Sequence, residues 1–194
     1  MTSVDSVRDA KTTLRAEIRL QRRTRPAEEL GRVTTDLTEH LIALVRDRAP
    51  ALVGCYLSGG DEPNTRPFLA WAAANGVHVL LPVSRRDGLL DWVPATGGSE
   101  QVGLFGISEM VGEVVPASVV GSVDLLLIPA AAVDSSGMRM GWGRGYFDRA
   151  LASLDPPPAV FAVVYDEEFV DSVPSEDHDR PVDGVITPSG TRVF

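Results

Sequence analysis

The chain is organised around the segment Asp134-Ser-Ser-Gly-Met-Arg-Met-Gly-Trp-Gly-Arg-Gly-Tyr-Phe-Asp-Arg149. The apolar run at residues 125–128 precedes it and has the length and bulk of a strand buried on both faces. After Gly145, apolar side chains recur three and four residues apart, which is typical of a helix with one buried face. The predicted order is therefore a strand, a loop, alternating glycines and a helix.

Three alternating glycines, Gly141, Gly143 and Gly145, stand at the predicted start of this helix. Without a Cβ, each lets the backbone adopt positive φ or approach a ligand closely, so N–H groups are exposed at a helix N-terminus. Such groups suit phosphate oxygens, and Arg139 and Arg144 can add forked donors. The pattern predicts a polyphosphate site, with a glycine-rich surface turn and solvated arginines as the alternative.

Asp148 closes the same stretch and offers a carboxylate beside the expected phosphate site. A magnesium ion that bridges phosphates takes oxygen ligands of this kind. Near a helix start, the same carboxylate can instead simply match the positive end of the helix dipole. The residues alone leave both interpretations open.

Residues 137–149 resemble the signature of the 5-formyltetrahydrofolate cyclo-ligase family, Gly-x-Arg-Leu-Gly-x-Gly-x-Gly-Tyr-Tyr-Asp. The resemblance implies a three-layer α/β/α fold with a mostly parallel central sheet. It also implies an ATP- and Mg²⁺-dependent ligase that closes 5-formyltetrahydrofolate to 5,10-methenyltetrahydrofolate and releases ADP and phosphate. The ATP contacts that it implies within this stretch are Arg139, Met140, Gly141, Trp142, Gly143, Arg144, Gly145, Tyr146 and Phe147.

Length and composition predict one globular domain over residues 1–194, because 44% hydrophobic content can bury one full core. No apolar run approaches the length of a membrane span and the polar start lacks a signal segment, so we expect a cytoplasmic protein without a membrane partner. Cys55 lies in an apolar run and is expected to be buried. His40, His78 and His178 are expected in a helix, a strand and a loop, without the spacing of a zinc site.

The net charge of −9 argues against nucleic acid as a partner of the whole surface. Residues 1–48 are nevertheless slightly basic, with ten basic and eight acidic side chains. This distribution predicts a local anion site in the amino-terminal segment. An ordinary solvated helix explains the charges equally well.

Lys11 is the single lysine beside seventeen arginines, which hints that position 11 needs a compact ammonium group, although chance is a fair rival. Lys11 and Arg15 lie four residues apart on one helical face and can meet one phosphate chain. Residues 11–15, Lys-Thr-Thr-Leu-Arg, resemble the family's Lys-x-x-Leu-Arg, whose basic pair contacts ATP. The resemblance therefore implies that Lys11 and Arg15 bind ATP.

Periodicity along the remaining chain predicts alternating helices and strands. A first helix should end near residue 24, and a second should run to about residue 46. A third is expected over residues 66–75, and strands are expected at residues 51–57, 77–81, 89–93, 159–164 and 185–187. The second strand should end at Pro82, and the turn that follows should join it to the third as a hairpin.

A polar loop at residues 58–65 leaves the carboxyl end of the first strand, where ligands collect in open α/β sheets. It is similar to the family segment Gly-Glu-apolar-Asp/Glu-Thr, whose second acid helps to hold the folate and is replaced here by Asn64. An amide still exchanges hydrogen bonds with a pterin's amino and keto groups but loses the charge-assisted bond. Loop and capping chemistry is the alternative for Asp61, Glu62 and Asn64.

Gly103-Leu-Phe-Gly-Ile-Ser-Glu109 resembles the family's Gly-x-x-Gly-Ile-x-Glu-Pro, a loop near the folate, with Met110 in place of proline. Phe105 can stack on a pterin or aminobenzoyl ring, or it can cover the core. The substrate would be 5-formyltetrahydrofolate, with or without a polyglutamate chain. The substrate contacts implied by the resemblance are Gly59, Glu62, Asn64, Phe105, Trp142 and Tyr146.

Residues 176–188 read Glu-Asp-His-Asp-Arg-Pro-Val-Asp-Gly-Val-Ile-Thr-Pro and resemble the family's closing His-Asp-x-Pro-apolar-Asp-x-apolar-apolar-Thr-Pro. In the family, the carboxylate that matches Asp183 joins the one that matches Asp148 at magnesium. Two hard oxygen ligands, ATP phosphates and waters would satisfy such an ion. Capping of a turn before the last predicted strand is the alternative for Asp183.

In the implied reaction, ATP phosphorylates the formyl oxygen and N10 then attacks the same carbon. Lys11, Arg139 and Arg144 are the expected catalytic groups, because they would neutralise the transferring phosphoryl group without any nucleophilic side chain. Two rival hypotheses are an enzyme of this fold that acts on another formyl or acyl compound and a catalytically silent nucleotide-binding sensor. We expect a monomer or a weak dimer.

Overall fold

A computed structural model describes residues 3–176 and 179–194, so His178, which is expected in a loop, lies outside the described residues. The helices in these two ranges are α1 (Ser3–Thr24), α2 (Ala27–Arg48), α3 (Arg66–Ala74), α4 (Ala117–Val120) and α5 (Tyr146–Ala152). The strands are β1 (Val53–Gly54), β2 (Val79–Ser84), β3 (Leu90–Pro94), β4 (Ser99–Val102), β5 (Ser108–Val111), β6 (Leu125–Pro129), β7 (Ala132–Asp134), β8 (Arg139–Met140), β9 (Ala159–Val163), β10 (Phe169–Val170), β11 (Gly184–Thr187) and β12 (Gly190–Val193).

A central sheet of seven strands runs in the order β12-β11-β9-β6-β1-β2-β3. Its five inner strands run parallel to one another. The edge strands β3 and β12 run antiparallel to the strands beside them. The predicted α/β class with a mostly parallel sheet is therefore confirmed. A smaller sheet, β10-β7-β8, and the hairpin β4-β5 stand beside the carboxyl-terminal end of the central sheet.

Helices cover both faces of the central sheet because β6 is apolar on both sides. Leu125 and Leu127 join the cluster that contains residues of α2 and α3. Leu126 and Ile128 point to the opposite face, where Phe147 of α5 packs. This alternation follows from the two-residue period of a strand and gives the three layers that the sequence predicts.

The first two predicted strands differ from the structure at their ends. Only Val53–Gly54 of residues 51–57 is paired as strand β1. Strand β2 continues through Pro82 instead of ending there, and Pro82 lies opposite Trp92 of β3. Because β1 ends at Gly54, opposite Leu80, no β1 residue on that side needs the N–H that Pro82 lacks.

Two segments predicted as loops contain paired strands. Residues 103–109 include a 3-10 turn, Leu104–Gly106, which connects the antiparallel strands β4 and β5. Within the stretch at residues 134–149, β8 pairs with β7 before the glycines begin. The strand predicted at residues 125–128, the helix after Gly145 and the hairpin of β2 and β3 are confirmed.

Burial of Cys55 is also confirmed: the side chain is fully enclosed in the core, and this burial raises the pKa of the thiol to about 12. A nucleophilic or redox role is therefore excluded by its surroundings. Across residues 3–176 and 179–194, no helix combines the length and the apolar character needed to cross a membrane.

Gly184 tests the close packing of β9, β11 and β12. A Cβ at this position would lie 2.3 Å from Cε1 of Phe161 and 2.6 Å from the backbone oxygen of Arg192. We expect Gly184→Ala to lower the free energy of unfolding by about 1–3 kcal/mol in urea titrations. The reason is that neither the buried ring of Phe161 nor the backbone of Arg192 can move away without a further loss of packing. Gly31→Ala, in open space on α2, is the control and should gain about 0.5–1 kcal/mol. Equal stability of Gly184→Ala and the parent would contradict this account.

Candidate active site

A cleft of about 190 Å³ opens where the parallel strands end, beside Tyr56, Ser84 and Pro129. Residues 139–147, which the sequence predicts at ATP, all line it. Helix α1 supplies Lys11 and Arg15 to the same cleft. The structure thus brings together the two basic segments that lie more than a hundred residues apart in the sequence.

The glycine loop, residues 141–145, is held directly against α1. Arg15 donates from Nε to the backbone oxygen of Gly141 at 2.8 Å. A Cβ on Gly143 would lie 3.4 Å from the guanidinium carbon of Arg15, and Gly143 has a φ of 90°. Gly145, with a φ of 68°, caps α5. Backbone conformation therefore requires glycine at 143 and 145, whereas Arg15 would meet a Cβ at 143 only at an ordinary contact distance.

Lys11 lies in the cleft with only 8% of its surface exposed. Its Nζ donates to Oε2 of Glu176 at 2.8 Å and to Oδ2 of Asp179 at 2.7 Å. Burial alone would lower the pKa of Lys11, but the hydrogen bonds to Asp179 and Glu176 outweigh it and raise the pKa. The ammonium group is therefore kept charged in a desolvated position.

Arg139 and Asp148 are paired with each other in the cleft. Nη2 of Arg139 donates to Oδ1 of Asp148, and Nη1 donates to the backbone oxygen of Arg180 at 2.8 Å. The Arg139 side chain is buried, whereas 56% of the Asp148 side chain is exposed. The exposed carboxylate can therefore change partner more easily than the buried guanidinium.

Phe105 is not among the residues that line the cleft, and 54% of its surface is exposed, so it does not cover the core. Its backbone has a φ of 65°, which is unusual for a residue with a side chain. The guanidinium carbon of Arg144 lies 3.4 Å from the centre of the Phe105 ring, and the centre of the Tyr146 ring lies 6.4 Å from it. The β4-β5 hairpin thus reaches across to the glycine loop through an aromatic contact.

A second cavity, of about 490 Å³, adjoins the cleft at Glu62 and Ser108, which line both. Gly59 and Asn64 line only this second cavity. Glu62 accepts a hydrogen bond from the backbone N–H of Gly59 at 3.1 Å. Burial raises the pKa of the Glu62 carboxyl, and the Gly59 bond offsets this only in part. Of the predicted substrate residues, Trp142 and Tyr146 line the cleft, Gly59 and Asn64 line the second cavity, Glu62 lines both and Phe105 lines neither.

Asp183 lines neither the cleft nor the second cavity. Its Oδ2 accepts the backbone N–H of Val160 at 2.7 Å, at the amino-terminal end of β9. Asp183 therefore does not share the cleft with Asp148. Its hydrogen bond to the backbone at the start of β9 matches the capping alternative. Among residues 3–176 and 179–194, no three His, Cys, Asp or Glu side chains are grouped to hold a metal ion. The metal role of Asp183 stays a prediction.

The sequence did not single out Glu109 and Asp179, which line the cleft, or Arg22, which lines the second cavity. Glu109 is buried and accepts the N–H of Ser84 at 2.8 Å. Asp179 is the aspartate of the His-Asp pair that begins the family's closing motif. It contacts Lys11, which lies 168 residues away in the sequence. Arg22 stacks on Trp142 with its guanidinium carbon 4.9 Å from the ring centre. Only Glu109 and Asp179 belong to motifs that could have drawn attention to them.

Fold and cleft together define a mixed α/β protein with its ligand cleft at the carboxyl ends of parallel strands, walled by a glycine loop and basic side chains. The family model described as the 5-formyltetrahydrofolate cyclo-ligase family matches residues 7–188. The chain belongs to this family. The resemblance predicted from residues 137–149 is therefore confirmed.

Known relatives agree with this assignment and are named as enzymes. The 5-formyltetrahydrofolate cyclo-ligase of Mycolicibacterium smegmatis is 38% identical over 141 residues, which cover 70% of this chain and 73% of that protein. That of Mus musculus is 28% identical over 196 residues, covering 93% and 95%. The NMR structure of the Aquifex aeolicus 5,10-methenyltetrahydrofolate synthetase matches with a TM-score of 0.79 at 26% identity, covering 94% of this chain and 92% of that one. The predicted enzyme class is confirmed.

Glu62 should make stability depend on pH. Because its pKa is raised above the ordinary 4.5, the folded protein holds this proton more tightly than the unfolded chain does, and stability is lost as pH rises from 4.5 through the raised pKa. We expect Glu62→Gln to be more resistant to urea than the parent above this window, and the difference to vanish below it. Glu39→Gln, an exposed change on α2, is the control. A Glu62→Gln effect that is identical at every pH would contradict the assignment.

Proposed function

We propose that this protein is an ATP-dependent ligase that converts 5-formyltetrahydrofolate to 5,10-methenyltetrahydrofolate and releases ADP and phosphate. The observation that supports it most is the convergence of Lys11, Arg15, Arg139 and Arg144 on one glycine loop. Three phosphate groups in a row need donors from several directions, and these side chains come from both walls of the cleft. The names of the relatives support the same reaction.

The charge balance of the cleft favours ATP bound together with a divalent ion. Four basic side chains line the cleft, but so do the carboxylates of Glu62, Glu109, Asp148 and Asp179. The cleft therefore offers ATP little net positive charge. A cation bound with ATP would reduce the negative charge of the nucleotide. Asp148 fits a metal ligand, because its exposed carboxylate can turn from Arg139 to an ion. Mg²⁺ held by Asp148 would supply positive charge against the negative charge that develops on the phosphate groups.

In the proposed reaction, the formyl oxygen of the substrate attacks the γ-phosphorus, a new O–P bond forms, and the bond to the ADP oxygen breaks. N10 then attacks the formyl carbon and loses its proton, and phosphate leaves with the former formyl oxygen. Phosphorylation is needed because a formamide oxygen is a poor leaving group. Lys11, Arg139 and Arg144 would stabilise the charge spread over the transferring phosphoryl group.

The direct test mixes purified protein with ATP, magnesium and 5-formyltetrahydrofolate and follows the near-ultraviolet absorbance of the methenyl product. Parallel samples each lack one component. Absorbance growth only in the complete mixture would support the proposal. ATP binding without product would instead favour another formyl or acyl substrate, or a silent nucleotide sensor.

Lys11→Ala tests the phosphate contacts. We expect turnover to fall by about a hundredfold or more, because loss of one preorganised donor costs about 2.7–4 kcal/mol in the transition state. The change also leaves Glu176 and Asp179 without this ammonium, which would add repulsion toward phosphate. Arg8→Ala, an exposed cation on the same helix, is the matched control. Both variants should keep the parental circular dichroism spectrum, and parental turnover by Lys11→Ala would refute the contact.

A further inference from the structure

The side chain of Arg149 joins two loops that are far apart in the sequence. Its Nε donates to the backbone oxygen of Gly88, in the turn between β2 and β3, at 2.7 Å. Its Nη2 donates to the backbone oxygen of Arg144, in the glycine loop, at 2.8 Å. Because the donors of a guanidinium group lie in one rigid plane, Arg149 fixes the position of one loop relative to the other.

Two glycines make room for this guanidinium group. A Cβ on Gly88 would lie 2.8 Å from Nη2 of Arg149, and a Cβ on Gly145 would lie 2.8 Å from Nη1. These distances are shorter than any ordinary contact of a Cβ, so a side chain at either position would displace the guanidinium group from its two carbonyl partners. The backbone of both loops is therefore shaped to accept Arg149.

The hydrogen bond to Arg144 also sets the direction of the next backbone N–H. The oxygen of Arg144 and the N–H of Gly145 belong to one planar trans peptide unit and point in opposite directions. Gly145 lines the cleft, whereas Arg149 does not. Among the backbone hydrogen bonds of residues 3–176 and 179–194, none is donated by the N–H of Gly145. This N–H is therefore held away from Arg149 and is available to a ligand.

We propose that Arg149 is a positioning residue, which orients the peptide between Arg144 and Gly145 so that its N–H meets a phosphate oxygen of the nucleotide. The inference rests on the proposed function, since ATP is the ligand. Arg149 itself touches no ligand. The bond to Gly88 anchors the guanidinium group, and the bond to Arg144 transmits this anchoring to the loop. A glycine-rich peptide without such an anchor has more orientations available, and nucleotide binding would have to order it.

Arg149→Lys tests the fork, because it keeps the positive charge and removes the planar group that meets two carbonyl oxygens. Calorimetric titration with ATP and Mg²⁺ would measure the affinity of the variant and of the parent. We expect the affinity to fall about tenfold in Arg149→Lys. Arg46→Lys, the same change at an exposed position on α2, is the control and should bind as the parent does.

Gly88→Ala tests the same contact from the other loop and leaves Arg149 in the chain. The added methyl group should displace the guanidinium group and lower the affinity for ATP with Mg²⁺ about tenfold. Gly97→Ala is the matched control, because φ is 83° at Gly97 and 86° at Gly88, but nothing lies within 4 Å of a Cβ on Gly97. Both alanine variants should lose stability in urea through backbone strain, and only Gly88→Ala should lose affinity.

A double variant completes the test. If Gly88→Ala acts by displacing Arg149, adding it to Arg149→Lys should lower the affinity little further, because both changes remove one interaction. Parental affinity in Arg149→Lys or in Gly88→Ala would overturn the role of Arg149 and leave the nucleotide site standing. An equal loss in Gly88→Ala and Gly97→Ala would overturn it as well, since strain alone would then explain the loss. Failure of the parent to bind ATP with Mg²⁺ would instead overturn the proposed function.

Discussion

The buried guanidinium of Arg22 holds α1 against the edge of the sheet where the cleft lies. It is 3% exposed, donates to both carboxylate oxygens of Glu168 at 2.6 and 2.8 Å, and donates to the oxygen of Ala130 at 3.0 Å. It also lies between the rings of Trp142 and Tyr165. Breaking such a buried pair costs about 3–5 kcal/mol because one charge is left without its partner. The position of Lys11 and Arg15 depends on this attachment, since both belong to the same helix.

Charge in the cleft is nearly balanced before any ligand arrives. Lys11 is paired with Glu176 and Asp179, and Arg139 with Asp148. A cluster of unpaired cations would repel itself and destabilise the folded chain, so the carboxylates stabilise the empty cleft. The same carboxylates weaken the attraction for phosphate. Under the proposed function, a divalent ion would resolve the conflict, because it would bind a carboxylate and offset the phosphate charge together.

The three-layer architecture could be predicted from the sequence, because the periods of strands and helices are short-range signals. The position of the glycine loop at the cleft could be predicted for the same reason, from the spacing of its glycines. Lys11 and Arg15 were predicted mainly from the resemblance of residues 11–15 to the family's Lys-x-x-Leu-Arg, because the single lysine and the spacing of the pair are weak signals alone. The sequence did not predict the β4-β5 hairpin or the partners of Lys11 and Arg22, whose contacts span between 146 and 168 residues. Asp183 shows the limit of motif transfer, since its place in a recognised block says nothing about the Val160 N–H that it accepts. Such contacts depend on topology, which local pattern does not encode.

The buried carboxyl of Glu62 lowers the stability of the folded chain when it is ionised. Its burial disfavours the ionised carboxyl, and the Gly59 N–H is its one backbone contact that lowers the pKa. A core built for stability alone would place an apolar side chain here. The carboxyl is instead kept beside Asn64, at the point where the cavity meets the cleft. Under the proposed function, a substrate that donates N–H groups to Glu62 would supply hydrogen bonds that the carboxyl lacks in the folded chain, and the cost of burying it would favour such a substrate.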